Sequence, residues 1–592
     1  YKQELYDEAL HRFIALLDYK VSVGYDFAQR EDETERKRTD DTFRVISLSF
    51  SNIGGADSVV EYFSHYGKRT YENHVYSNLA EFYFGKRRYA DASATYEAFV
   101  DRNPFHEQAP SFQMRVIDIH AAGGFPSLVL DAKKAFATTY GLKAAYWDYF
   151  DPGSRPEVLG FLKTNLTDLA SHYHACYQDP KQAKEKPTHY TEALHWYRQF
   201  LLSFPRDIES PTINYHLADL LLEHRSFGQA AIEYERTAYG YAAHENAAKA
   251  GYAAVVAYRE HLDAVQPEDE DTVRQAVVRS SLKFADTYPQ HEKAAIVLGA
   301  AADDLYVMEA YAQALGAATT LLGAFPDADT DVVRAAWLVV GHSSYELLRY
   351  IEAESAYLKV LSLLPAEADK MRDDLVDNLA ASIYKQGEQA NAAQDYRAAA
   401  DHFLRVGRVA PTSKIRANAE YDGAAALIQL EDWEKAAAVL TGFRDTFPGH
   451  ELQPEVTKKI AYVYKETGQL SLAAAEYERI ETESADDEIR REALQLAADL
   501  YTRAGDDLKA MAVYQRYVGC FPKPVGLNLE TRNKIADILK TTNDRDSYLE
   551  ELRQIVAIDA AAGNARTDRT RYLAGSAALV LAEDTYKTFL AV

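Results

Sequence analysis

His172, His174 and Cys176 alternate along one stretch of this 592-residue chain, and imidazole and thiolate are ligands that zinc takes. At helical spacing His172 and Cys176 share a face while His174 points elsewhere, so at most two groups reach one ion. Tyr173 between them falls at a buried repeat position. A closed zinc site needs four ligands, and no others are signalled nearby. Asp327, Asp329 and Asp331 are spaced like the start of a calcium loop. The position that needs glycine is Val332, however, and the one that needs glutamate is Leu338. Capping of a helix that starts after Pro326 accounts for the three aspartates instead. Gly54-Gly55 and Gly123-Gly124 fall in turns rather than in a phosphate-cradling loop, and no Gly-x-Ser-x-Gly nucleophile motif occurs. Asn165-x-Thr167 has the form of a glycosylation acceptor and is given no role. The sequence therefore assigns no catalytic residue, no metal and no cofactor.

What remains is spacing. Seven alanines (92, 193, 314, 353, 399, 436 and 510) are each followed by apolar residues at +4 and +7 and by proline at +12. Ala92, Tyr96, Phe99, Pro104 and Ala353, Tyr357, Val360, Pro365 are two of the cases. Positions 0, +4 and +7 lie on one helix face, where alanine admits a neighbouring helix and the larger residues fill the groove beside it. Proline cannot continue the helix, so it closes one unit. A second small residue stands twelve positions before an alanine: Ala80, Ala218, Ala302, Gly341, Ala424, Ala461 and Ala498. Three residues after it usually comes tyrosine or leucine, as at Tyr83, Leu221 and Tyr501; the 341 unit has Ser344 and then Tyr345. In the next unit Ala380 precedes Ala399 by nineteen residues, which predicts a helix pair about seven residues longer than standard, with both helices extended beyond the stack.

This unit resembles the tetratricopeptide repeat, with Trp337, Val340, Gly341, Tyr350, Ala353, Tyr357 and Pro365 following that family's pattern. The resemblance implies an all-α fold, a right-handed superhelical solenoid of about twelve helix-turn-helix repeats, with other proteins as its ligands. Tyr6-x2-Ala9-x3-Phe13 opens the array, and degenerate units lie near 112–140 and 247–289. Strand signals are almost absent. We expect N-terminal repeats over 1–149 and central repeats over 150–264 after the break FDPGSRP. The main array then covers 265–560, and a further helical unit starts over 561–592. Charged residues 30–41 read as a solvated turn or helix end, 178–188 as an insertion between helices, and 265–272 as an acidic connector.

Carried over by spacing, the partner-facing first-helix positions of the tetratricopeptide family fall on Tyr215, Asp219, His342, Tyr345, Tyr421, Tyr462 and Lys465. Each has two readings, as a peptide anchor or as packing against the adjacent unit. Lys458 is the one lysine at a carboxylate-clamp position, and it is followed by Tyr462 where the clamp needs asparagine. That argues against a chaperone-cochaperone domain.

Composition narrows the partners. The net charge is −25, from 90 acidic against 65 basic residues. Such a surface repels phosphate backbones and anionic headgroups, so nucleic acid and membrane surfaces are poor ligands. A basic partner segment fits, and so does a charge that serves solubility alone. Basic residues within 181–186 sit among acidic ones and form no nucleic-acid patch. Cys176 and Cys520 lie in distant repeats and build no disulfide framework. No apolar run is long enough to span a bilayer.

The punctuation Phe204-Pro205, Tyr288-Pro289, Phe325-Pro326, Phe447-Pro448 and Phe521-Pro522, with the segment 378–403, is similar to bacterial envelope repeat proteins. Outer-membrane assembly lipoproteins and Tol–Pal coordinators are such proteins. That resemblance implies a periplasmic, outer-membrane-associated scaffold in a multi-protein complex. A cytoplasmic adaptor, self-association, or a helical module beside a catalytic domain remain the alternatives. The helical patterns at Tyr1 and at 579–592 read as interrupted, so we expect a longer protein that carries any export signal outside this segment.

Overall fold

The computed structural model describes residues 2, 4–27, 32–365 and 367–590. Residues 30 and 31 of the charged run, 591 and 592 of the final pattern, and Tyr1 lie outside the described residues. Two compact units divide the chain, Tyr1–Val297 and Leu298–Val592. In the first, α1 (Tyr6–Ser22), α2 (Glu33–Ile53) and α3 (Ala56–Tyr66) precede five helix pairs among the described residues. These are α4 (Glu72–Gly85) with α5 (Tyr89–Arg102), α6 (Ala109–Gly123) with α7 (Pro126–Thr139), α8 (Pro156–Gln178) with α9 (Lys186–Ser203), α10 (Ser210–Glu223) with α11 (Phe227–Tyr239), and α12 (Ala247–Ala264) with α13 (Glu270–Thr287).

The boundary falls in α14 (Ala294–Val307), and α15 (Tyr311–Ala324) follows it. The second unit continues with α16 (Thr330–Glu346) and α17 (Tyr350–Leu363), α18 (Asp369–Ala392) and α19 (Tyr396–Val409), and α20 (Arg416–Gln429) and α21 (Trp433–Thr446). Then come α22 (Gln453–Glu466) and α23 (Leu470–Glu483), α24 (Asp487–Arg503) and α25 (Asp507–Cys520), α26 (Val525–Thr541) and α27 (Arg545–Ala561), and finally α28 (Asp568–Leu590). No strand occurs among the described residues. The fold is an all-α helical-repeat solenoid, and in each unit a helix packs mainly on its neighbours in the chain.

Eight of the hairpin turns follow one rule. Five residues before the signature alanine stands a residue in the left-handed region: Arg87, Arg225, Glu309, Leu348, Gln394, Glu431, Gly468 and Gly505. The next amide then reaches back five residues to a carbonyl of the first helix, as in Arg88 N to Tyr83 O and Ser226 N to Leu221 O, both 2.9 Å. This Schellman closure satisfies carbonyls that the helix end would leave without a donor. Where the following residue is aspartate, its side chain caps the second helix; Asp395 accepts from Ala398 N, Asp432 from Lys435 N and Asp506 from Lys509 N.

The small residues earn their positions at the seam. A Cβ on Gly341 would stand 2.8 Å from Cε1 of Tyr357, so the ring lies directly on the glycine. Gly387 repeats this against Phe403, at 2.6 Å from Cδ1. That corrects the expectation for this unit, because Gly387 rather than Ala380 is the small partner of Ala399 and the spacing of twelve is intact. Only α18 is long, at 24 residues, while α19 keeps the usual 14. Of the charged run, residues 33–41 form the N-terminal end of α2, the helix-end alternative rather than a turn, and Thr39 among them is buried.

Candidate partner surface

All seven carried-over positions lie on first helices: Tyr215 and Asp219 on α10, His342 and Tyr345 on α16, Tyr421 on α20, and Tyr462 and Lys465 on α22. They differ in what they touch. Asp219 is half-buried and accepts a 2.5 Å hydrogen bond from the Tyr234 hydroxyl on α11, whose ring meets Tyr215 edge-on at 5.4 Å. Burial pushes the Asp219 carboxyl above its ordinary range, and the tyrosine bond partly offsets that. His342 Nδ1 lies 2.8 Å from the Tyr357 hydroxyl, and burial holds this imidazole below its usual value. Tyr345 packs edge-on to Tyr350 at 5.2 Å.

The α20 and α22 positions are more open. Lys459 Nζ stands over the Tyr421 ring at 5.0 Å. Tyr462 is 44 % exposed with one edge near Trp433, and Lys465 is exposed. The seven thus fall into two kinds. Asp219 and His342 complete the polar bonding of their own hairpins, whereas Tyr462 and Lys465 present an aromatic face and a charge outward.

The residues singled out for metal chemistry separate as their spacing requires. His172 Nε2 lies 3.6 Å from Cys176 Sγ on the outer side of α8. His174 turns inward to the Tyr197 hydroxyl at 2.9 Å. His174 also takes the buried position expected for Tyr173, which is half-buried beneath Lys134. Among the described residues no three His, Cys, Asp or Glu side chains converge as a metal site. Asp329 accepts from the Asp331 amide at 2.8 Å, which is the capping role. Asn165 is fully buried in α8 with Nδ2 facing Met114 Sδ, so it is closed to modification in the folded chain. Sequence spacing missed the aromatic cluster between α1 and α3, because beyond the Ala9–Phe13 fragment those helices lack the alanine register that marks the rest.

The chain is similar to the crystal structure of yeast Tom70, at 14 % identity over 86 % of this chain and 98 % of that one, with a TM-score of 0.19. It is also similar to the P58(IPK) TPR domain, at 14 % identity over 72 % and 98 % of the two chains with a TM-score of 0.19. A tetratricopeptide repeat protein from Parabacteroides merdae matches at 15 % identity over 48 % and 97 %, with a TM-score of 0.21. No protein-family model and no curated protein matches the chain. No helix among the described residues is long and apolar enough to cross a membrane.

Proposed function

We propose that this protein is a non-enzymatic scaffold that binds other proteins along the first helices of its hairpins. The carrying observation is the outward pair on α22, where Tyr462 and Lys465 remain exposed although the alanine register buries Ile460, Ala461 and Val463 around them. An exposed ring beside a cation on a rigid helix is the kind of anchor that peptide recognition uses. Affinity capture with the purified chain, followed by mass spectrometry, tests the reading. Recovery of defined protein partners supports it, and turnover of small metabolites by the purified segment defeats it.

Within that role we infer a place in a multi-protein complex of a bacterial cell envelope, periplasmic and associated with the outer membrane. The support is the aromatic-proline punctuation and the 378–403 segment. Fractionation of the producing cells decides between this and a cytoplasmic adaptor, by recovery in the envelope or in the cytosolic fraction.

A further inference from the structure

Helices α1 and α3 both pack on α2 and leave a cleft between them, a cavity of about 400 Å³. One wall carries Asp7 and His11, the other Glu61, Tyr62, His65 and Tyr66. The rings form a connected set: Tyr62 and Tyr66 are 4.7 Å apart, and His11 and His65 each meet Tyr66 edge-on, at 5.0 and 4.5 Å. A hydrogen bond of 3.1 Å between His11 Nδ1 and the Tyr62 hydroxyl ties the two walls together. Tyr66 is 47 % exposed, so this aromatic surface is accessible.

Charge points to the ligand. Asp7 and Glu61 have no hydrogen bond or ion pair among the described residues, and no lysine or arginine lines the cavity. Arg69, three residues beyond Tyr66, holds the Tyr66 carbonyl at 2.9 Å and the Asp18 carboxylate at 2.8 Å, so its charge is already matched. Ring faces carry negative potential, and unmatched carboxylates beside them add to it. A hydrated metal ion gains little from ring faces and finds no converging donor set here. An organic cation, which sheds its water readily, gains from both features.

We propose that this cleft binds an organic cation, and that its occupant is the lysine or arginine side chain of a basic partner segment. The second half of that statement rests on the scaffold reading above. The overall charge of −25 would draw such a segment toward the protein before the cleft selects its side chain.

Ligand-observed saturation-transfer NMR on the full chain tests this with three probes: tetramethylammonium, Nα-acetyl-lysine amide and the neutral Nα-acetyl-glutamine amide. Saturation is expected at the methyl groups of the first and the ε-methylene of the second, with none for the third. Tyr66→Ala and the double variant Asp7→Asn/Glu61→Gln should each lower it at least threefold with circular dichroism unchanged, while Glu488→Gln on α24 should leave it intact. Equal signals in every variant, or no signal from either cation, overturn the proposal. Signal from tetramethylammonium alone overturns the partner-segment half and points to a free alkylated ammonium. A captured partner retained by the double variant sinks the cleft as its docking point yet leaves the scaffold standing. Cation binding without any captured partner does the reverse.

Discussion

The Tyr234 hydroxyl donates to the carboxylate of Asp219, fifteen residues earlier on the facing helix of the same hairpin. The offset recurs as Tyr96 to Glu81 at 2.9 Å, as Tyr357 with His342, and as Tyr514 to Asp499. It follows from the register. The residue four after the signature alanine lies on the small residue of the first helix, and its hydroxyl overshoots to the next side chain. Each such bond satisfies a phenol that is buried in the seam, where leaving it unpaired would be costly.

Tyr234→Phe removes one donor and leaves Asp219 half-buried without it. A loss of about 1–2 kcal/mol is expected in urea unfolding. The cycle with Asp219→Ala should show a coupling of about 1 kcal/mol. Tyr477→Phe, at the equivalent position but with no hydrogen-bond partner for its hydroxyl among the described residues, should cost less.

Glycine separates seam from surface. Gly387→Ala places a Cβ against the Phe403 ring and should destabilise by about 1–3 kcal/mol. Gly442→Ala on the exposed side of α21 meets nothing within 4 Å and should stabilise by about 0.5–1 kcal/mol. Thermal melts of the two variants should move in opposite directions.

Much of this fold was legible because the small residues and bulky residues of the seam repeat in the sequence at fixed offsets. The Gly387 register escaped because Ala380 is nearly as small and sits two turns earlier on the same buried face, so composition alone does not choose between them. The left-handed turn residues escaped for another reason. Arg87, Leu348 and Glu431 are not residues that favour positive φ, and it is the Schellman closure that imposes it. At the candidate surface, spacing placed all seven residues on first helices. It did not separate Asp219 and His342 from Tyr462 and Lys465, because hydroxyl partners come from the second helix.

Acid should weaken the second unit. Burial lowers the folded-state value of His342, and likewise of His402, below that of an unfolded imidazole. The neutral form therefore contributes stability above the unfolded value, and that stability is lost as pH falls through it toward the folded value. Melting temperatures between pH 7.5 and 5 should fall for the wild-type chain and fall less for His342→Gln.

The two cysteines should differ in reactivity. Cys176 has His172 Nε2 at 3.6 Å, near enough to take the thiol proton as the sulfur reacts, while Cys520 has no imidazole beside it among the described residues. Iodoacetamide at pH 7, read by peptide mass mapping, should label Cys176 several-fold faster although Cys520 is the more exposed. His172→Gln should erase that lead.

The most direct test of the scaffold places a photo-reactive benzophenone amino acid at Tyr462 on α22 or at Leu472 on α23 in the producing cells. Both sites are exposed, at 44 % and 47 %, so access alone does not distinguish them. A discrete protein adduct from position 462 and none from 472 is the expected result. No adduct at 462, or the same adducts from both helices, contradicts binding along the first helices.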